Sequence, residues 1–369
     1  MLARAGPGEH AGPSSKAKTR RPQGARAQER RAAATTINVG VIGTGNMGAH
    51  HAMTLHRYVN GAVVTMLYDA DRGRAGELSR AIPGSVVASG AMALVEDRRT
   101  DALIIASPDD THAELVRAAL AAGKPVMCEK PLAPSLAECV QVVRAEQAAV
   151  ADGRRPLISL GFMRRFDPGY VAVKESVGRR ELGAPLVLHC ESRGVTSGPG
   201  TTTASAVIGS AVHELDVVSW LLDEPIVSVA WHRPRASVNA EGFQDPQLLV
   251  LRTARDVLAI VELFLNARYG YEVRCEVVCE TGTLALNYAR PSVANATQMH
   301  YLSHPLDWRE RFADAYRLEL QAWARSIAHG CRSPLAGAVD ATRAAAVADA
   351  VIASIGRGAG ETAVEYPQI

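Results

Sequence analysis

The chain has 369 residues, 47% hydrophobic and 21% charged, which is ordinary for a soluble globular protein and enough for two domains with ample burial. No run reaches the roughly 18 consecutive apolar residues of a membrane span, so a membrane partner is not expected. The formal net charge of +2 is uneven: residues 1–36 carry eight Lys/Arg and two Asp/Glu, leaving −4 for a mildly acidic remainder, which argues against nucleic acid as the main partner.

Residues 1–36 are rich in Ala, Gly, Pro, Ser and Arg and poor in large apolar side chains, and are expected to form a disordered basic extension. Arg20-Arg21 and Arg30-Arg31 are not followed by a long apolar stretch of the kind an export signal needs, so a cytoplasmic location is expected.

The first strand, Val39 to Ile42, runs into Gly43-Thr44-Gly45-Asn46-Met47-Gly48, a G-x-G-x-x-G cluster that opens a helix. A second apolar run, Ala62 to Tyr68, ends at Asp69, 21 residues after Gly48. Gly43 suits a tight turn, Gly45 leaves room for a pyrophosphate, and Gly48 lets helix and strand pack closely. The N–H groups of that first helical turn face the phosphates. A carboxylate at Asp69 accepts hydrogen bonds from a ribose 2′-hydroxyl and repels a 2′-phosphate, which favours NAD over NADP.

Helices are predicted at Arg72 to Ala81, from Ala91 to Glu96, at Ala113 to Ala122 and at Leu136 to Ala149. Strands are predicted at Ser85 to Ala88, Asp101 to Ala106 and Pro125 to Cys128. Repeated strand–helix units over 37–155 imply a parallel, doubly wound Rossmann sheet with its ligand outside the strands' carboxyl ends, where Asp69, Ser107 and Lys130 lie. Polarity rises at 151–156, and the second domain, 156–369, is placed after it.

That half opens with a strand at Leu157 to Gly161. It continues with a β-like run at Leu186 to Ser192, a Thr/Ser/Gly-rich loop at Thr196 to Ser205 and a helix at Ala211 to Leu222. Strands follow at Ile226 to His232, Leu248 to Arg252, Leu258 to Leu265, Glu272 to Cys279 and Thr283 to Asn287. Helices at Trp308 to Ile327 and Ala338 to Ser354 close the chain, the last expected to pack back on the first domain. The expected class is α/β: the Rossmann domain plus an α+β domain with a large, mostly antiparallel open sheet.

Six cysteines without C-x-x-C spacing read as reduced, buried thiols, with Cys275 and Cys279 sharing a strand face. His213-Glu214 starts like a zinc motif, but position 217 is Val, and no metal is expected. Lys130, at a strand end between Glu129 and Pro131, is placed to hydrogen-bond a substrate hydroxyl. His213 lies beside the apolar stripe of its helix with Gly209, Asp216 and Trp220, facing the rim of the core, and is placed to act as general base. The turn Gly161 to Tyr170, with Arg164, Arg165 and Asp167, reads equally as a polar pocket or a solvated loop. Tyr269 and Tyr271 read as pocket hydroxyls or as core.

The glycine fingerprint, Glu129-Lys130-Pro131-Leu132, Gly161 to Tyr170 and His213-Glu214-Leu215-Asp216 together resemble the glucose–fructose oxidoreductase / inositol dehydrogenase / rhizopine catabolism family. The likeness covers nearly everything from 37 onwards and is strongest to its inositol 2-dehydrogenase branch, which Tyr269 to Thr283 and Asp307 to Ile327 also resemble. It implies NAD, a cyclic polyol or sugar substrate and a homotetramer joined through the large sheets. It further implies catalysis by Lys130 and His213, and substrate contacts from Arg164, Asp167, Gly209 and Tyr271. The cofactor contacts expected are Gly43, Gly45, Asn46, Met47, Gly48, Asp69, Ser107, His112, Glu129 and Lys130. The family usually carries Asp four residues before the catalytic His, where this chain has Gly209. Either another acid, Asp216 or Glu191, substitutes, or the pocket is opened for a bulkier or amino-bearing substrate; the second is the expectation here. A non-catalytic dinucleotide-sensing regulator on the same fold is the rival from another class.

Overall fold

The computed structural model describes residues 36–153, 155–287, 294–296, 298–301, 303–357 and 360–369. The basic extension, apart from Thr36, lies outside them.

The first half alternates β1 (Ile37–Ile42), α1 (Asn46–Tyr58), β2 (Ala62–Tyr68), α2 (Arg72–Ala81), β3 (Val86–Val87), α3 (Ala91–Glu96), β4 (Ala102–Ile105), α4 (His112–Ala121), β5 (Val126–Cys128), α5 (Leu136–Ala151) and β6 (Ile158–Leu160). The six strands form one parallel sheet in the order β3-β2-β1-β4-β5-β6. The strand expected to open the second domain is therefore the last strand of the first sheet: β6 pairs with β5 in parallel, Met127 opposite Ser159. A rise in polarity marks a loop, and an exposed loop before an edge strand resembles a linker.

The second half begins with α6 (Pro168–Gly178) and β7 (Pro185–Arg193). The loop expected up to Ser205 turns helical at Thr203–Ala206, passes through one π-helical turn, Val207–Ala211, and joins α7 (Val212–Leu222). Threonine 202 caps this start through Ser205, a local signal that the Thr/Ser-rich composition hid. The strands β8 (Ile226–His232), β9 (Gln247–Thr253), β10 (Leu258–Phe264), β11 (Glu272–Cys279) and β12 (Gly282–Ala285) follow, then a small hairpin of β13 (Ala294–Ala296) and β14 (Met299–Tyr301). The helix expected over Trp308 to Ile327 breaks at Phe312 into a turn, Trp308–Arg311, and α8 (Ala313–Ala328). Helix α9 (Ala338–Ile355) and β15 (Thr362–Ala363) end the chain. The second sheet runs β12-β11-β7-β10-β9-β8-β15, antiparallel except for β7 beside β10.

The alternation along β9 and β10 buries Leu249, Leu251, Ala259, Val261 and Leu263 on the helix-covered face. Helix α9 joins both halves: Ala338, Ala341 and Ala344 pack with Cys139 and Val142 of α5, while Val347 and Val351 belong to the second core. The packing back expected of the last helix is present. Helix α8 does the same unannounced, setting Leu320, Trp323 and Ala324 against Ala52 and Leu55 of α1.

All six cysteines are free; five are buried and Cys331 is exposed, against the expectation of burial for all. The helical stretch Thr203–Leu222 is long and apolar enough by composition to cross a membrane, but 61% of that window is buried within the protein.

Candidate active site

The glycine loop separates what the fold demands from what a ligand demands. Gly43 has φ +86, and a Cβ there would meet the Ala106 carbonyl at 2.4 Å. A Cβ on Gly48 would fall 1.8 Å from the Gly43 oxygen. Gly45 is different, since only Arg74 comes within 4 Å, at 3.9 Å. Helices α2, α5 and α6 are capped by the side chains of Asp71, Ser135 and Asp167, but α1 has no side-chain cap. Its first-turn N–H groups, from Asn46 onwards, are left to an anion, and open space lies over Gly45 to admit it. These residues fit a dinucleotide pyrophosphate. Met47 instead turns its side chain into the second core.

Asp69 sits at the end of β2 with Oδ2 accepting from Thr44 N–H at 2.7 Å and from Thr44 Oγ1 at 2.9 Å. Its Oδ1 accepts from Asp71 N–H at 2.9 Å. Burial opposes ionisation, but these hydrogen bonds and Arg74 hold the carboxyl below the usual range. The crevice therefore carries a fixed negative charge where a ribose diol would lie.

Lys130 reaches from the end of β5 across to the helix-bearing half: its Nζ donates to the Gly209 carbonyl at 2.9 Å. Gly209 lies in the π-helical turn, four residues before His213, and the Lys130 ammonium stands close enough to act on the imidazole. Burial first, then the positive charges of Lys130 and Arg164, push the His213 pKa well below 6.5. The imidazole is thus neutral near pH 7, as a proton acceptor must be. Its Nδ1 is buried without a hydrogen-bond partner among the described residues, and its ring meets Phe162 edge-on, centroids 6.2 Å apart.

Several expected ligand contacts are engaged elsewhere. Arg164 is only 2% exposed and forms an ion pair with Glu214. Asp167 caps α6 through Gly169 and Tyr170, and its other oxygen holds Arg311 at 2.8 Å. His112 is buried with its ring nitrogens on the Ser107 and Pro131 carbonyls, at 2.9 and 2.7 Å, so it braces the lysine turn. Ser107 shares its hydroxyl with Thr111 at 2.6 Å. Glu129 is enclosed and bonded to His51, not open to the crevice. Tyr271 lies partly buried beside Phe312, lining a cavity of about 490 Å³ with Glu272, Arg274 and Arg311. A cavity of about 770 Å³ lined by Arg165, Asp216, Trp220, Asp340 and Tyr366 contains neither Lys130 nor His213.

Neither acid considered as a substitute at Gly209 can serve. Asp216 is clamped by Arg165 through bonds of 2.9 and 2.5 Å. Glu191 stands on the open face of the second sheet opposite Arg274, while its neighbour Cys190 points into the core. A Cβ on Gly209 meets nothing within 4 Å. Sequence reasoning passed over His51 and gave Gly161 and Glu214 no individual role. Arg164-Arg165 and Glu214/Asp216 form two complementary pairs, a signal that was present in the charges; His51, in an ordinary helical run, carried none.

The family model of the oxidoreductase family's NAD-binding Rossmann fold matches residues 37–151, and that of its C-terminal alpha/beta domain matches 174–362. The chain is 46% identical to inositol 2-dehydrogenase 2 of Paenarthrobacter aurescens over 89% of its length and 99% of the relative's. It is 40% identical to inositol 2-dehydrogenase of Paracoccus denitrificans over 90% and 98% of the two chains. The crystal structure of myo-inositol dehydrogenase from Lactobacillus casei, in complex with NAD(H) and myo-inositol, superposes with a TM-score of 0.85 at 31% identity, covering 90% of this chain and 98% of that one. By sequence, fold and crevice together, the chain belongs to the glucose–fructose oxidoreductase / inositol dehydrogenase / rhizopine catabolism family of NAD-binding oxidoreductases.

Proposed function

We propose that this chain is an NAD-dependent dehydrogenase that oxidises a ring hydroxyl of an inositol-like cyclitol to a ketone. One observation carries the reading: Lys130 Nζ, from the coenzyme half, docks 2.9 Å from a carbonyl on the turn leading to a neutral His213 of the other half. The glycine loop and the uncapped start of α1 would hold NAD, which would supply the hydride acceptor. A lysine ammonium has three N–H donors, so Lys130 can keep the Gly209 carbonyl and still donate to the reacting hydroxyl oxygen. The neutral His213 imidazole takes that hydroxyl's proton, a contribution of roughly 10²–10⁴ in rate. The buried Arg164–Glu214 pair supports the histidine helix beneath it. A sensor that only bound the dinucleotide would have no use for this lysine and histidine.

The open space over Gly209 leaves room for a ring with a substituent, an aminocyclitol or related sugar, as well as for an unsubstituted inositol. NADH formation at 340 nm with a panel of inositols, aminocyclitols and hexoses tests both points. The wild type should turn over at least one cyclitol, Lys130→Met should lose turnover, and Gly209→Asp should raise the rate on myo-inositol. Tight NAD binding with no turnover on any member removes the dehydrogenase reading; a flat or lower myo-inositol rate in Gly209→Asp removes the open-pocket reading.

We also propose a cytoplasmic homotetramer. Leu248, Val250, Leu258, Ile260 and Phe264 lie half-buried on the sheet face opposite the helices, beside the Arg193–Glu262 pair. An apolar face of this kind is covered in a stable assembly. Light scattering should give four times the chain mass, and a monomer would remove the proposal.

A further inference from the structure

Glu129, immediately before Lys130, is 6% exposed. Its Oε1 accepts from His51 Nε2 at 2.7 Å and its Oε2 accepts from the Lys130 backbone N–H at 3.2 Å. The carboxylate fills its space: a Cβ on Gly161 would lie 2.9 Å from Oε1 and 3.2 Å from Oε2. His51 is fully buried, with its ring edge-on to Tyr316 at 5.7 Å. The other titratable groups acting on or felt by Glu129 are His50, Cys128, Tyr316 and Glu319. His51 belongs to α1, the helix whose first turn faces the coenzyme pyrophosphate, whereas Glu129 and Lys130 end β5.

We propose that His51 and Glu129 are a positioning pair that ties the coenzyme-binding helix to the backbone of the catalytic lysine. The inference rests on the role given above to Lys130. Neither residue touches substrate; each acts through the Lys130 N–H. A lysine ammonium at the end of a flexible stem finds its target only if its own backbone is held, because misplacement by about 1 Å costs up to ~10²-fold in rate. The bond spans the two elements that must move together if the lysine is to stay in register with the nicotinamide.

The test compares His51→Leu, His51→Gln, Glu129→Gln and Lys130→Met in kcat, KM and calorimetric NAD affinity, with the cyclitol that the wild type turns over fastest. His51→Leu should lose about tenfold or more in kcat, with KM and NAD affinity changed less than about threefold. His51→Gln keeps an N–H donor near the Nε2 position and should retain about a third or more of kcat. Glu129→Gln keeps the volume and should lower kcat by about threefold at unchanged KM, which tests the idea even if His51→Leu does not fold. Wild-type kcat in folded His51→Leu or in Glu129→Gln overturns the pair, as does His51→Gln being as impaired as His51→Leu. So does a loss of NAD affinity equal to the loss in rate. An inactive Lys130→Met beside active His51 and Glu129 variants sinks this inference alone, whereas an active Lys130→Met sinks the reading beneath it.

Discussion

His213 shows how surroundings set the protonation state of a residue. The sequence placed it beside an apolar stripe; burial and two nearby cations then hold it neutral. In the folded enzyme it resists protonation, while in the unfolded chain it takes a proton below about pH 6.5. Two consequences share that sign. The acid limb of kcat/KM should lie well below pH 6.5 and vanish from the residual rate of His213→Ala; a wild-type limb at or above 6.5 would contradict the assignment. The folded state should also lose stability as pH falls below about 6.5. Lys130 and His213 could be singled out in the sequence because a chain position, strand end or helix face, limits where each can point. Asp167 and His112, expected at ligand, are bonded within the fold, because a polar residue beside a cleft has two fates. Whether it faces ligand or satisfies buried carbonyls and N–H groups depends on partners 144 and 19 residues away.

The strand–turn–helix of the glycine loop makes its own distinction. Gly48→Ala drives a Cβ into the Gly43 carbonyl, an overpacking that should cost about 1–3 kcal/mol or more and lower the melting temperature. Gly45→Ala meets only a flexible arginine tip, so the fold should keep its stability while NAD affinity falls. Thermal melts and NAD titrations of both variants check this; equal loss of stability would assign both glycines to packing. The elements themselves followed the sequence closely, with β2, α2, β8 and β11 at their expected bounds and β1 beginning two residues earlier, at Ile37. Errors gathered where a local signal was ambiguous. A short apolar run before 161 could belong to either sheet, and a Thr/Ser-rich stretch could be loop or helix cap.

Helices α8 and α9 bind the two halves into shared cores, and Glu319 on α8 is fully buried. Neither of its carboxyl oxygens has a hydrogen-bond partner among the described residues. Burial, with the Glu129 and Asp216 charges nearby, pushes its pKa well above 4.5. The folded protein therefore keeps a proton that the unfolded chain releases above about pH 4.5, and this group costs more stability as pH rises. Glu319→Gln should raise the melting temperature more at pH 8 than at pH 5; the opposite order would show the carboxyl ionised in the fold. Periodicity, the glycine spacing and the acid after β2 were enough to establish a dinucleotide crevice and a second sheet, because each depends on neighbours within about one strand–helix unit. Which sheet owns β6, which helices clamp the halves, and whether Gly209 faces open space were decided only by tertiary packing. Those outcomes depend on contacts between segments distant in sequence, whose competition for the same buried volume no local pattern records.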